Sequence, residues 1–244
     1  MHIIRSKIFS QYPEILFGMS TNSGGVSAGK FGLNLSYHVN DDPDNVLENR
    51  KRFFSALGIT HEQVAFTRQQ HTTNIVSVDR SGISENCDAL ITNRRSLYLS
   101  ISVADCTPVM LYDKKKSIVA GIHAGWRGAA GRIVEQTLYQ MKRDFETNPI
   151  DIIAFIGPSA GKCCYEVGRE VAYQFPNECI TDSPNGKFLL DVKQSNLLQL
   201  LENGVPNSNI EVSEDCTIHN TIFHSHRRDG KQSGRMFTII GIKH

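Results

Sequence analysis

No stretch of this 244-residue chain is apolar for anything near the roughly 18 residues a membrane helix needs, so no span is expected. Net charge is almost absent: 26 Lys and Arg against 25 Asp and Glu leave +1, which gives no field to gather nucleic acid or an anionic membrane. The first ten residues lack the long apolar core and small-residue cleavage site of a secretory signal. The six cysteines form no dense disulfide scaffold in a chain this long, and no Cys-x-x-Cys pair suggests a zinc ribbon or thioredoxin-type motif. A cytoplasmic protein with reduced thiols is the expectation. Histidine is also sparse. His224-Ser-His226 is the sole His-x-His, too little imidazole for multicopper oxygen reduction. The Gly- and Ser-rich stretch 19–30 lacks the spacing of a phosphate-binding loop and reads as a flexible surface loop or lid.

What is present is ordinary globular material, 40% hydrophobic and 21% charged, with no repeat or linker to divide it. Asp42-Pro43 looks like an N-cap and first-turn proline, and predicts a helix to Leu57 stopped by Gly58. Val46, Leu47, Phe53, Phe54 and Leu57 would face inward, and residues 48–52 would include the solvated face. Short strands are expected over 64–67, 74–79, 89–92, 97–103, 152–156, 210–213 and 236–242. Helices are expected after residue 128, near 170–175 and over 191–203. The fold class is therefore mixed α/β, a single domain spanning 1–244.

The segment 99–128 organises the rest. Apolar runs at Val109–Tyr112 and Ile118–Ile122 flank a polar turn and predict a β-hairpin. If Lys114-Lys115 is a two-residue loop, continuing the ladder sets Cys106 directly opposite His123. Lys-Lys is a poor turn pair and Pro108 cannot donate to the ladder, so pairing should loosen beyond it. After His123 the chain turns through Gly125-Trp-Arg-Gly128 into a helix. That geometry aims backbone N–H groups, with Arg127 beside them, at a phosphate or carboxylate. His71 lies in the polar segment 68–73 and is the available third ligand. Should His71, Cys106 and His123 converge, two imidazoles and a thiolate suit zinc, or copper in another geometry. Three protein ligands would leave the fourth position for water, whose pKa the metal lowers to around 7. Asp105 is then a proton carrier or an orienting group. Without metal, the same residues read as a Cys106 nucleophile with His123 as its base. Vicinal Cys163-Cys164 reads as packing rather than catalysis. His224 and His226 would share one face of an extended chain. Arg227, Arg228 and Arg235 offer guanidinium forks for an anion.

These residues resemble the YfiH-like family, once called polyphenol oxidase or laccase-domain proteins and now described as purine nucleoside phosphorylases with adenosine deaminase activity. The matching motifs run in order through nearly the whole chain: Gln69-Gln-His71, Cys87-Asp-Ala-Leu-Ile-Thr92, Val103-Ala-Asp-Cys106, Gly121-Ile-His-Ala-Gly-Trp-Arg-Gly128, Ile156-Gly-Pro158 with Tyr165-Glu-Val-Gly168, and Arg227-Arg-Asp-Gly230 with Gly234-Arg235. Gly24-Gly25-Val-Ser27, Asn34-Leu35 and His38-Val39 also fit. The resemblance implies a zinc site on His71, Cys106 and His123. Copper is the other metal the donor set suits, and Asp105, Cys106 and His123 are the expected catalytic residues. The resemblance implies phosphorolysis of adenosine, inosine and methylthioadenosine, and deamination of adenosine. Substrate and phosphate contacts would fall to Asn34, Gln69, Arg127, Arg228 and Arg235. Some family members are linked to peptidoglycan editing. The implied fold is a layered α/β sandwich similar to the cytotoxic necrotizing factor catalytic domain, which keeps the cysteine-hydrolase reading open beside the copper oxidase one. Two departures stand out. Thr72 replaces the usual Gly after the first His, which would change the backbone there, and Gly161-Lys162 is an untypical context for Cys163. The oligomeric state is not legible.

Overall fold

Among the described residues, fifteen strands make three sheets. The computed structural model describes residues Met1–His244, the side chain of Asn185 aside. The first sheet runs, edge to edge, β1 (Ile3–Ile4), β2 (Ile15–Ser20), β15 (Met236–Ile242), β7 (Tyr98–Val103), β3 (Val64–Thr67), β5 (Gly82–Ser84). The second runs β14 (Ile210–Val212), β10 (Ile152–Ile156), β8 (Thr107–Asp113), β9 (Ile118–Ala124), β6 (Ala89–Thr92), β4 (Ile75–Ser77). A small third sheet orders β11 (Glu166–Val167), β13 (Lys187–Leu190), β12 (Ile180–Ser183). Both large sheets mix parallel and antiparallel pairs.

The two large sheets bury Phe17, Leu99, Ile101 and Ile240 of the first against Leu90, Met110, Tyr112 and Phe155 of the second. Helix α1 (Pro43–Leu57) covers the outer face of the first sheet through Phe53, Phe54 and Leu57. Helices α3 (Ile133–Phe145) and α5 (Val192–Glu202) cover the outer face of the second through Val134, Leu138, Met141 and Leu200. The result is a four-layer α/β/β/α sandwich. Strands buried on both faces carry continuous apolar runs instead of alternation, as in Val109–Tyr112 and Ile152–Ile156. Short helices α2 (Trp126–Ala130) and α4 (Arg169–Ala172) pack against the third sheet, and α6 (His226–Asp229) lies in the C-terminal segment.

Helix α1 has the expected bounds, with Asp42 accepting the Asp44 N–H at 2.8 Å and Gly58 left-handed at φ 74°. Its faces differ from expectation. Leu47 is 45% exposed, whereas Asn49 is fully buried. The Asn49 amide reaches Ser27 Oγ and the Gly32 and Asn34 carbonyls, while its oxygen accepts the Val26 N–H. This ties down the Gly- and Ser-rich loop. Gly25 is needed there, because a Cβ would sit 2.2 Å from the Gly32 carbonyl oxygen. Arg50 likewise leaves the solvated face: it donates to the Leu35 carbonyl and its guanidinium lies over the Tyr37, Phe66 and Phe237 rings. A hydrophobic stripe alone does not see polar residues whose hydrogen bonds are all supplied by one loop.

Candidate metal centre

The β8–β9 hairpin forms, but its register is displaced. Pro108 pairs with His123 and Val109 with Ile122, leaving a four-residue turn at Lys114–Ser117. Asp113 explains the wider turn. Its carboxylate accepts the Lys115 and Lys116 N–H groups at 2.9 and 3.0 Å, a side-chain turn that competes with the tight two-residue loop. A displacement of two residues keeps every side chain on its face, so Cys106 and His123 still meet, now diagonally. Gly125 occupies the position opposite Cys106. A Cβ there would lie 2.9 Å from His71 Cδ2 and 3.1 Å from Cys106 Sγ, so the glycine makes the room in which the three side chains converge.

His71, Cys106 and His123 bring their ligand atoms within 4.8 Å of one another. Cys106 Sγ lies 3.8 Å from His71 Nε2, and the two imidazole rings stand edge to face at 4.9 Å. The organiser is Asp88, a fully buried carboxylate just ahead of β6. Its Oδ1 binds His123 Nδ1 at 2.7 Å and accepts the His71 N–H at 3.0 Å. Its Oδ2 accepts the Gln70 and Thr72 N–H groups and the Thr72 hydroxyl at 3.2, 2.8 and 2.8 Å. Three successive N–H groups thus wrap one carboxylate, and the turn that aims them holds His71 at φ 59°. The Asp88 carbonyl also accepts the His123 N–H at 2.7 Å. The Thr72 hydroxyl therefore adds a further donor to this nest.

Burial alone would raise the Asp88 carboxyl, but the His123 and Thr72 hydrogen bonds outweigh it and hold the acid well below its ordinary range. Burial would lower His123, yet the neighbouring Cys106 sulfur and the Asp88 hydrogen bond lift it to about 9. Burial would raise Cys106, and His123 and His71 bring it down to about 6. The pocket therefore favours a thiolate. With Nδ1 of His123 held by Asp88, its Nε2 is left for a metal, the usual carboxylate–histidine arrangement behind zinc. Tetrahedral zinc with bonds of about 2.0–2.3 Å separates its donors by about 3.3–3.8 Å, so the donor set and its spacing fit such an ion.

The remaining predicted residues divide sharply. Asp105, at φ 84°, accepts the Thr217 hydroxyl at 2.7 Å and the Arg227 N–H at 2.6 Å, and its carbonyl accepts the Ala160 N–H. Gln69 is bonded at both ends of its amide, to the Ser102 carbonyl and N–H beyond the β3–β7 ladder. Asn34 is fully buried: its amide nitrogen reaches Ser36 and Asp41, and its oxygen accepts the Ser36 and Arg235 N–H groups. Arg228 places all its N–H groups on the carbonyls of Thr217, Ile218 and Phe223 and on Asp229, which leaves none of them free for the phosphate expected there. Arg235 differs. Among the described residues only one of its terminal nitrogens is engaged, by Ser233 and Gly234, and its guanidinium lies close enough to Cys106 and Asp105 for their charges to act on it. Arg127 is exposed, stacks on Trp126 at 4.2 Å and has no ion-pair partner among the described residues. His224 is buried with Nε2 unbonded while His226 is exposed at the start of α6, so the two do not share an extended face. A cleft of about 1060 Å³ beside α1 reaches Gln69 and Ser102 but none of the three ligands.

Asp88 entered the sequence reading only inside the motif Cys87–Thr92, with no role in the site. The available signal was a carboxylate between Cys87 and the apolar run Ala89–Ile91, where a buried charge demands partners.

A layered sandwich carrying a two-histidine, one-cysteine pocket backed by a buried carboxylate defines a class, and residues 16–243 match the model of the multi-copper polyphenol oxidoreductase laccase family. The chain belongs to that family. It is 35% identical to a purine nucleoside phosphorylase of Bacteroides thetaiotaomicron, over 96% of this chain and 93% of the relative. Adenosine deaminase RL5, from an unknown prokaryotic organism, is 34% identical over 95% of this chain and 96% of its own length. The crystal structure of YlmD from Geobacillus stearothermophilus superposes with a TM-score of 0.94 at 34% identity, covering 100% of this chain and 97% of that one. These relatives support an enzyme, and no helix here is long and apolar enough to cross a membrane.

Proposed function

We propose that this chain is a zinc-dependent purine nucleoside enzyme that cleaves adenosine, inosine or methylthioadenosine with phosphate and deaminates adenosine. The observation that carries the reading is the convergence of His71, Cys106 and His123 around a space kept open by Gly125. Zinc held there by three protein ligands supplies a Lewis acid at a position open to water or substrate. Asp88 fixes the ring and tautomer of His123 and the backbone of His71. Asp105, its carboxylate held by Thr217 and Arg227, acts as a positioning residue for Cys106 instead of a freely exchanging proton carrier. Arg235 and Arg127 are the cations left for phosphate. Asn34 holds Arg235 by its N–H, and Gln69 holds the chain leading to His71, so both support the site from behind. Free thiols throughout suit the cytoplasm.

A second reading has its own observation: Cys106, His123 and Asp88 line up as thiolate, imidazole and carboxylate, the order of a metal-independent cysteine hydrolase. A copper-loaded oxidase is the family description's own alternative. The deciding experiment is adenosine plus phosphate turnover by zinc-loaded protein, followed by chromatography beside His123→Ala. Adenine with ribose 1-phosphate, or inosine, absent in the variant, supports the nucleoside enzyme. Folded, zinc-loaded protein that gives neither product refutes it.

A further inference from the structure

Four of the six cysteines are not core filler, and three of those lie outside the pocket just described. Cys87 and Cys179 are packed into apolar clusters. Cys163, Cys164 and Cys216 instead bring their sulfur atoms within 4.8 Å of one another, with Cys163 exposed, Cys164 half-buried and Cys216 buried. Topology makes the meeting. Strands β10 and β14 are parallel neighbours at the edge of the second sheet, so the chains leaving their C-terminal ends run side by side. Ser159 bridges to Cys216, and the Thr217 N–H donates to the Ser159 carbonyl at 3.0 Å.

At Cys216 the surroundings suit charge, while burial and the neighbouring sulfurs push the Cys164 thiol up to about 12. The Gly161 N–H donates to Cys216 Sγ at 3.2 Å, which stabilises sulfur with negative character. A Cβ on Gly161 would lie 3.1 Å from Cys216 Cβ, 3.4 Å from its sulfur and 3.5 Å from Cys163 Sγ. Gly161 thus lets the two loops close on each other. The mouth of the cleft is polar, with Glu214, Asp215 and His219 beside Cys163 and Cys216. Lys193 brings a buried ammonium to the carbonyls of Ser213 and Asp215 just behind it.

We propose that Cys163, Cys164 and Cys216 form a second, all-sulfur metal site that takes a soft monovalent cation, copper(I) being the ion that fits. Three thiolates without an imidazole or carboxylate in the set favour a thiophilic ion over zinc, which completes four ligands in closed sites. With bonds near the 2.3 Å typical of metal–thiolate contacts, a trigonal ion sets its sulfurs about 4 Å apart; all three lie within 4.8 Å of one another here, and the vicinal Cys163–Cys164 pair, at 3.4 Å, would open slightly to take it. The site adjoins the His71–Cys106–His123 pocket through Asp105, which binds Ala160 on one side and Thr217 on the other.

The test is anaerobic titration of the reduced, full-length protein with copper(I) against a competing chelator. Cys106→Ser removes the first pocket as a thiolate site. That variant is expected to retain one copper(I) per chain, with near-ultraviolet thiolate-to-copper absorption and three sulfur neighbours by X-ray absorption. Adding Cys163→Ser, an exposed position whose folding can be checked by circular dichroism, should weaken retention by more than the roughly 10–100-fold that losing an outer contact costs. Cys216→Ser should do the same. Retention unchanged by Cys163→Ser overturns the proposal. So does a Cys106→Ser protein that holds no copper(I), or one whose cluster closes into a disulfide and retains no ion.

Discussion

Asp88 and Arg228 are both encircled by hydrogen bonds, yet the two regions they organise use charge differently. Asp88 is an anion whose partners are the imidazole of one proposed ligand and the backbone of another, so its satisfaction aims functional groups. Arg228 is a cation whose partners are carbonyls and the Asp229 carboxylate of its own segment, so its satisfaction closes a loop and leaves nothing for a ligand. Polar density near a site therefore has two meanings, and they separate only when each donor and acceptor is followed to its partner.

Breaking Asp88 should have the largest effect. Asp88→Ala strands His123 in the core and is expected to cost about 3–5 kcal/mol by denaturant unfolding. Zinc affinity should fall by at least 10–100-fold, read by competition with a chromophoric chelator. His224 comes next and is specific to acid. Burial holds this histidine down at about 4, below the ordinary value near 6.5. Above that ordinary value folded and unfolded chains are both neutral here and the group costs nothing. As pH falls towards 4 the unfolded chain takes the proton first, so stability drops by up to about 3 kcal/mol. Unfolding curves at neutral and mildly acidic pH should show this extra loss in the wild type and not in His224→Gln. Arg228→Ala should lower stability by about 1–3 kcal/mol while leaving the KM for phosphate unchanged. Arg235→Ala should behave in the opposite manner. Loss of one charge-assisted contact of about 1.5–3 kcal/mol raises the phosphate KM roughly 10–100-fold, with little change in the melting temperature. An Arg228→Ala enzyme that loses phosphate affinity while Arg235→Ala keeps it would reverse the comparison.

Much of the fold was legible because its signals are local. Asp42, Pro43 and Gly58 carry the ends of α1, and the apolar runs of β8, β9, β10 and β15 carry the sandwich. Cys106 and His123 do not pair directly as expected, yet they still meet diagonally despite the wrong turn length because strand faces repeat every two residues. What escaped depends on distant partners. Short strands β5, β11, β12 and β13 have little pattern of their own and exist through their neighbours. Asn49 and Arg50 look like a solvated helix face until the loops and rings that receive them are in place. Asp88 reads as one acid in an apolar stretch until residues 70–72 fold over it.

The most direct test of the central claim measures metal content and adenosine turnover on the same protein as purified, after chelation, and after refilling with zinc. The account predicts that product follows occupancy of His71, Cys106 and His123, vanishing with the metal and returning with it. Folded, metal-free protein that processes the nucleoside at the original rate would contradict it and pass the chemistry to Cys106 and His123 alone.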